Sequence, residues 1–184
     1  MKRVFDIAIA LIGLPVAVPL VVICMILVRF SSRGPTIFSQ TRIGLNEQPF
    51  TCYKLRSMYI DTRDAPSHET SASAVTPIGA WLRRLKLDEL PQLWNILLGD
   101  MSFVGPRPCL PSQVELIEAR RIRGLYAIRP GITGIAQVAG IDMSDPQRLA
   151  EVDAGYLANM SMATDVRLMV ATVLGAGRGD RVRS

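Results

Sequence analysis

Residues 7–28 read IAIALIGLPVAVPLVVICMILV, 22 positions without one charged side chain. Of these, 14 are Ile, Leu or Val, which favours bilayer insertion by about 4–8 kcal/mol. Asp6 at the edge subtracts at most about 3 kcal/mol, and less at the interface. The segment therefore enters a membrane. As a straight helix it would reach roughly 33 Å at ~1.5 Å per residue, enough to cross. Gly13, Pro15 and Pro19 argue against straightness, because each proline removes an N–H and crowds the carbonyl four residues back. Basic residues flank both ends, Lys2 and Arg3 before, Arg29 and Arg33 after. A spanning helix carries its cationic bias on one side. The pattern favours a helix–break–helix that dips into the bilayer and returns to the cytoplasmic face. A straight span and a cleaved signal peptide are the alternatives, and the second lacks a clear small-x-small cleavage site.

The rest of the chain fits one modest domain. At 184 residues, hydrophobic residues make up 49% and charged residues 20%, with a net charge of +5. That balance suits an anionic membrane face, phosphorylated substrates or nucleic acid. The apolar N-terminus, and the lack of a nucleic-acid motif or aromatic-basic platform, disfavour nucleic acid. Three cysteines, Cys24, Cys52 and Cys109, show no CxxC spacing and point to neither a disulfide framework nor a zinc site. A single histidine, His68, excludes two-histidine metal sites and argues against a triad with a histidine base. Catalysis here must use carboxylates, amines or guanidiniums.

Thr36–Arg42 and Pro49–Met58 are β-prone and flank Gly44-Leu45-Asn46-Glu47, which predicts a hairpin. Asp61–Pro77 reads as a loop. Helical periodicity follows at Ile78–Lys86, Leu90–Leu98, Pro111–Leu125, Pro146–Asn159 and Met162–Leu174. Arg129–Gly140, with three glycines and a proline, reads as a structured loop. The last helix gathers Met162, Val166, Met169, Val170 and Val173 on one side, a face read as core in preference to bilayer contact. The expected fold class is α+β, mostly helical: a re-entrant, proline-broken membrane helix over residues 1–30, packed with a small cytoplasmic catalytic domain, 31–184, that contains a β-hairpin.

The chemistry is expected within residues 85–108, LKLDELPQLWNILLGDMSFVGPRP. Asp88 and Glu89 precede Leu90-Pro91, and proline is tolerated in the first turn of a helix. The pair is therefore expected at a helix N-terminus, where the macrodipole keeps a carboxylate ionised. Such a group can be a nucleophile or can hold magnesium. The bland alternative is a helix cap. Arg83, Arg84 and Lys86 lie just upstream. Arg107 stands between Pro106 and Pro108, so its backbone is restricted and its guanidinium suits bidentate phosphate recognition. Adjacent acids point in different directions, which disfavours a glycosidase pair.

These residues carry a resemblance. KRVFD at 2–6, IFSQTRIGLN at 37–46, YKLRSM at 53–58, residues 82–108 and RPGITGIAQV at 129–138 are similar to the bacterial sugar transferases, in their minimal monotopic phosphoglycosyl transferase form. The likeness covers nearly the whole chain. It implies transfer of a sugar phosphate from a UDP-sugar to undecaprenyl phosphate with release of UMP, through an aspartyl-phosphosugar intermediate and with Mg2+. On that resemblance Asp88 is the nucleophile and magnesium ligand, and Glu89 its catalytic partner. Lys54, Arg83 and Arg107 handle phosphate, Arg129 and Gln137 contact substrate, and Pro19 marks the helix break. It places the protein at the cytoplasmic face of the bacterial inner membrane, in polysaccharide or glycoprotein glycan assembly. A homodimer or downstream glycosyltransferases would be further partners. The competing reading is a non-enzymatic membrane-anchored assembly or regulatory subunit on the same scaffold. Val18 stands where the family often has a small polar residue, and Ala139-Gly140-Ile141 where it has an asparagine and an arginine.

Overall fold

A computed structural model of the chain describes residues 1–62 and 71–176. His68 and much of the loop expected at Asp61–Pro77 lie outside the described residues.

Helix α1 runs from Lys2 to Ser31, 30 residues with Pro15 and Pro19 inside it. The interruption expected at Pro19 does not appear as a gap in the helix. Its buried positions are Asp6, Ala10, Ala17, Cys24 and Val28, spaced by four or seven residues and so aligned in one stripe. Their small side chains let α1 lie close to the rest of the fold along both halves. Ala10 and Ala17 pack with Cys52, Leu93, Ile96 and Met101, while Cys24 and Val28 pack with Leu55 and Leu82. Ile12, Val16, Val22, Ile23, Ile26 and Phe30 face outward. Among the described residues, α1 is the one helix long and apolar enough to cross a membrane.

The hairpin forms as expected, β1 (Ile37–Ile43) antiparallel to β2 (Pro49–Leu55), with Gln40 opposite Cys52 and Phe38 opposite Lys54. Its turn places Asn46 at φ 52° and Glu47 at φ 59°. Asparagine tolerates that left-handed geometry better than most residues. Helices α2 (Pro77–Leu85), α4 (Val114–Ile122) and α6 (Pro146–Ala158) occupy expected segments. Helix α3 spans Gln92–Leu98. Its buried Asn95 accepts a bond from Tyr53 N (3.1 Å) and donates to Thr51 O (2.6 Å), stapling α3 to β2.

Two strands were not anticipated. β3 (Ser102–Val104) pairs in parallel with β4 (Gly131–Thr133), which lies inside the segment read as a loop, followed by the short α5 (Ile135–Val138). The chains approach so closely that a Cβ on Gly131 would sit 2.1 Å from Gly105 N. Only glycine fits there.

Helix α7 (Met162–Val173) corrects the expected core face. Met162, Val166, Val170 and Val173 are exposed, and the inner face carries Asp165 and Leu168, with Met169 packed beside them. Asp165 is tolerated inside because both its oxygens are bonded, to Lys2 Nζ and Tyr156 OH, each at 2.6 Å.

Candidate active site

The end of α2 sets the site. Lys86 adopts a left-handed conformation (φ 57°) and turns the chain into a short 3-10 turn, Leu87–Glu89. Asp88 and Glu89 are buried there, 6% and 8% exposed. The acids were expected at or near the N-terminus of the Leu90–Leu98 helix. Helix α3 proper starts at Gln92, and the acids occupy a 3-10 turn that leads through Leu90 and Pro91 into it, with Glu89 also met by side-chain cations.

Two cations meet one oxygen. Lys54 Nζ, from β2, lies 3.1 Å from Glu89 Oε1, and Arg107 Nη2, from the segment after β3, lies 2.9 Å from the same atom. Both are charge-assisted hydrogen bonds, stronger than neutral ones. Four expected site residues, Lys54, Asp88, Glu89 and Arg107, therefore come together from three parts of the chain. Arg83 is half-buried in the last turn of α2, just upstream of the acidic turn. The other two are used differently. Arg129 Nε donates to Gly99 O at 2.7 Å, at the end of α3 away from the acids, where Arg3 Nη2 also donates to Leu97 O at 3.0 Å. Gln137 Nε2, on α5, donates to Ile132 O of the neighbouring β4 at 2.8 Å.

Sequence reasoning missed Gln40 and Arg42. They share a sheet face with Cys52 and Lys54, and Arg42 Nη1 donates to Pro108 O at 3.0 Å, next to Arg107. The run Ser39-Gln40-Thr41-Arg42 is polar on both faces of β1, so no alternation in the sequence marked the two. Burial pushes the Cys52 thiol up against the opposing pull of Lys54, Arg42 and Arg107. It stays a neutral packing group and no nucleophile.

This arrangement can hold a phosphorylated ligand against a buried carboxylate. Magnesium is bound through one or two carboxylates together with substrate phosphates, and the buried carboxylate of Asp88 fits that donor set.

A family model described as "Bacterial sugar transferase" matches residues 1–178. The chain belongs to the bacterial sugar transferases. This sugar transferase is 37% identical to the undecaprenyl-phosphate glucose phosphotransferase of Komagataeibacter xylinus over 94% of its own length and 35% of that protein. It is 37% identical to the UDP-glucose:undecaprenyl-phosphate glucose-1-phosphate transferase of Caulobacter vibrioides, over 94% and 68% respectively. Against an exopolysaccharide production protein of Rhizobium leguminosarum the identity is 38%, over 95% and 94%. The chain thus spans about a third of the Komagataeibacter relative and two thirds or more of the other two.

Proposed function

We propose that this sugar transferase moves a sugar phosphate from a UDP-sugar to undecaprenyl phosphate, releasing UMP, at the cytoplasmic face of the inner membrane. The observation that carries the reading is the convergence of Lys54 and Arg107 on Glu89, beside buried Asp88, in a fold built along an apolar helix. The names of the relatives, which join undecaprenyl phosphate to glucose phosphate, support the substrate class.

In the first step an Asp88 oxygen attacks the sugar-bearing phosphorus of the donor. The bridging P–O bond breaks, and its electron pair leaves with UMP. In the second step an oxygen of undecaprenyl phosphate attacks the same phosphorus. The bond to Asp88 then breaks and the carboxylate is regenerated. Lys54 and Arg107 offset charge on the transferred phosphoryl group, the term that dominates this chemistry. Glu89 holds the two cations in place between turnovers, and Arg83, from the last turn of α2, meets the phosphate that leaves with UMP. Magnesium, when bound, would sit on Asp88 and supply neutralisation of the diphosphate charge.

The membrane part of the proposal is re-entry. Both ends of α1 are fastened to one body: Lys2 and Arg3 to Asp165 and the end of α3, and Ser32 and Arg33, just past the other end, to Arg56 through their carbonyls at 2.9 and 2.5 Å. A helix held at both ends by the same charged domain has no need to cross. Trp81 and Leu85 on α2, and Trp94 and Leu98 on α3, are exposed on helices that pack against α1, a pattern suited to the interface.

The function is tested by UMP release from a panel of UDP-sugars with magnesium and undecaprenyl phosphate. Asp88→Asn should abolish turnover, and donor alone should leave a sugar-phosphate adduct in the intact mass. Full activity in Asp88→Asn would defeat the nucleophile assignment, and no release from any donor would defeat the function. Single cysteines at Val4 and Phe30, both well exposed, test topology against a background of buried native thiols. Labelling from opposite sides of the membrane would overturn re-entry.

A further inference from the structure

Arg107 can steer a phosphate only if its backbone is fixed, and Pro106 and Pro108 on either side contribute no N–H. The fixing runs through carbonyls instead. Pro106 O accepts from Gly131 N at 3.0 Å, Cys109 O from Ile43 N at 2.9 Å, and Pro108 O from Arg42 Nη1 at 3.0 Å. The remaining carbonyl, of Arg107 itself, accepts from Arg120 Nη1 at 2.7 Å.

Arg120 stands on α4 and is 2% exposed. Its Nη2 lies 2.7 Å from Asp153 Oδ2 on α6, and both side chains are 3% exposed. Taking two such charges out of water costs several kcal/mol per ion, and an apolar pair of similar volume often serves stability as well or better. Stability alone therefore does not account for this pair. An apolar pair could not donate to a carbonyl. The guanidinium is a rigid planar fork, so anchoring one arm on Asp153 fixes the direction of the other, which meets the backbone of Arg107.

We propose that Arg120, oriented by Asp153, is a positioning residue for Arg107. It ties the α4–α6 layer to the guanidinium that meets the transferred phosphoryl group, and it acts on the reaction only through that guanidinium. The inference rests on the function proposed above.

The test is a set of cycles read by UMP release from radiolabelled donor, comparing wild type with Arg120→Lys, Asp153→Asn, Arg107→Ala and the corresponding double variants. Lysine keeps the charge of Arg120 but cannot hold both partners in one plane. Arg120→Lys should lower kcat/KM by about 10–100-fold, the scale of a sub-ångström to ångström misplacement, with an unchanged circular dichroism spectrum. In the Arg107→Ala background the same change should cost less than about 2-fold, because coupled sites are not additive. Should Arg120→Lys fail to fold, Asp153→Asn, which keeps shape and an acceptor oxygen, completes the same cycle with a loss of about 5-fold that vanishes beside Arg107→Ala. Penalties that multiply in full in the double variants, or single variants as active as wild type, overturn the positioning role while leaving the function intact. A wild-type protein that turns over no donor overturns the function, and the role with it.

Discussion

Replacing Glu89 by glutamine removes one negative charge and leaves the shape of the side chain. Lys54 Nζ and Arg107 Nη2 approach the same oxygen at 3.1 and 2.9 Å, so the two cations are at most about 6 Å apart. At that separation, with an effective dielectric constant near 20, their mutual repulsion is about 3 kcal/mol. The carboxylate offsets it in the native chain. Side-chain rotation and the neighbouring Asp88 carboxylate soften the loss, leaving about 1–2 kcal/mol for Glu89→Gln. For a chain of this length that corresponds to roughly 2–8 °C in Tm, measured by thermal denaturation in detergent at low salt. Two further readings separate this cause from a packing defect. Added inorganic pyrophosphate should recover most of the difference, since its charge replaces the missing carboxylate. Lys54→Met in the same background should also recover it, by removing one of the two cations. A Tm equal to or above wild type, with no response to pyrophosphate, would refute the electrostatic account of the site.

Three other outcomes are expected. Gly131→Ala should cost more than about 3 kcal/mol or prevent folding, because its Cβ would fall 2.1 Å from Gly105 N; an ordinary Tm would mean that β3 and β4 do not pair as described. Burial raises Tyr126 and Tyr156 above the usual tyrosine value, with the Asp165 carboxylate adding to the shift of Tyr156. Their stabilisation is thus full below about pH 10 and is lost as pH climbs through the raised values; absorbance titration should show late ionisation of Tyr126 and Tyr156, with the late step reduced in Tyr156→Phe. Trp81 and Trp94, exposed by 45% and 57%, should be quenched by lipids brominated near the headgroup, and fluorescence insensitive to such lipids would remove them from the membrane interface.

The hairpin was legible because Asn46 and its neighbours carry turn chemistry that short-range sequence states directly. The β3–β4 pair was not. Each strand has three residues, too few for an alternating pattern, and what joins them is a glycine contact between segments distant in the chain. Helix α7 shows a different limit. Met162, Val166 and Val170 form an apolar stripe that looks the same whether it faces a core or a bilayer, while the true inner face hides Asp165, a residue that reads as surface until Lys2 and Tyr156 are placed beside it. At the site, Asp88, Glu89 and Arg107 could be singled out as candidates from residues 85–108. The pairing of Glu89 with Lys54 could not, since Lys54 reaches it from β2, 35 positions away.

The ion pair between Lys2 and Asp165 joins residues 163 positions apart, and that span has a consequence for biosynthesis. At about 5–20 residues per second, roughly 8–30 s separate the translation of the two partners. Helix α1 is complete before β2, α2 and α3, which receive its inner stripe, and long before α7, which holds its N-terminus. During that interval its apolar side chains have only lipid or a chaperone to cover them. Delivery to the bilayer must therefore precede closure of the domain, and a nascent chain arrested before Asp165 should be membrane-bound yet protease-sensitive throughout.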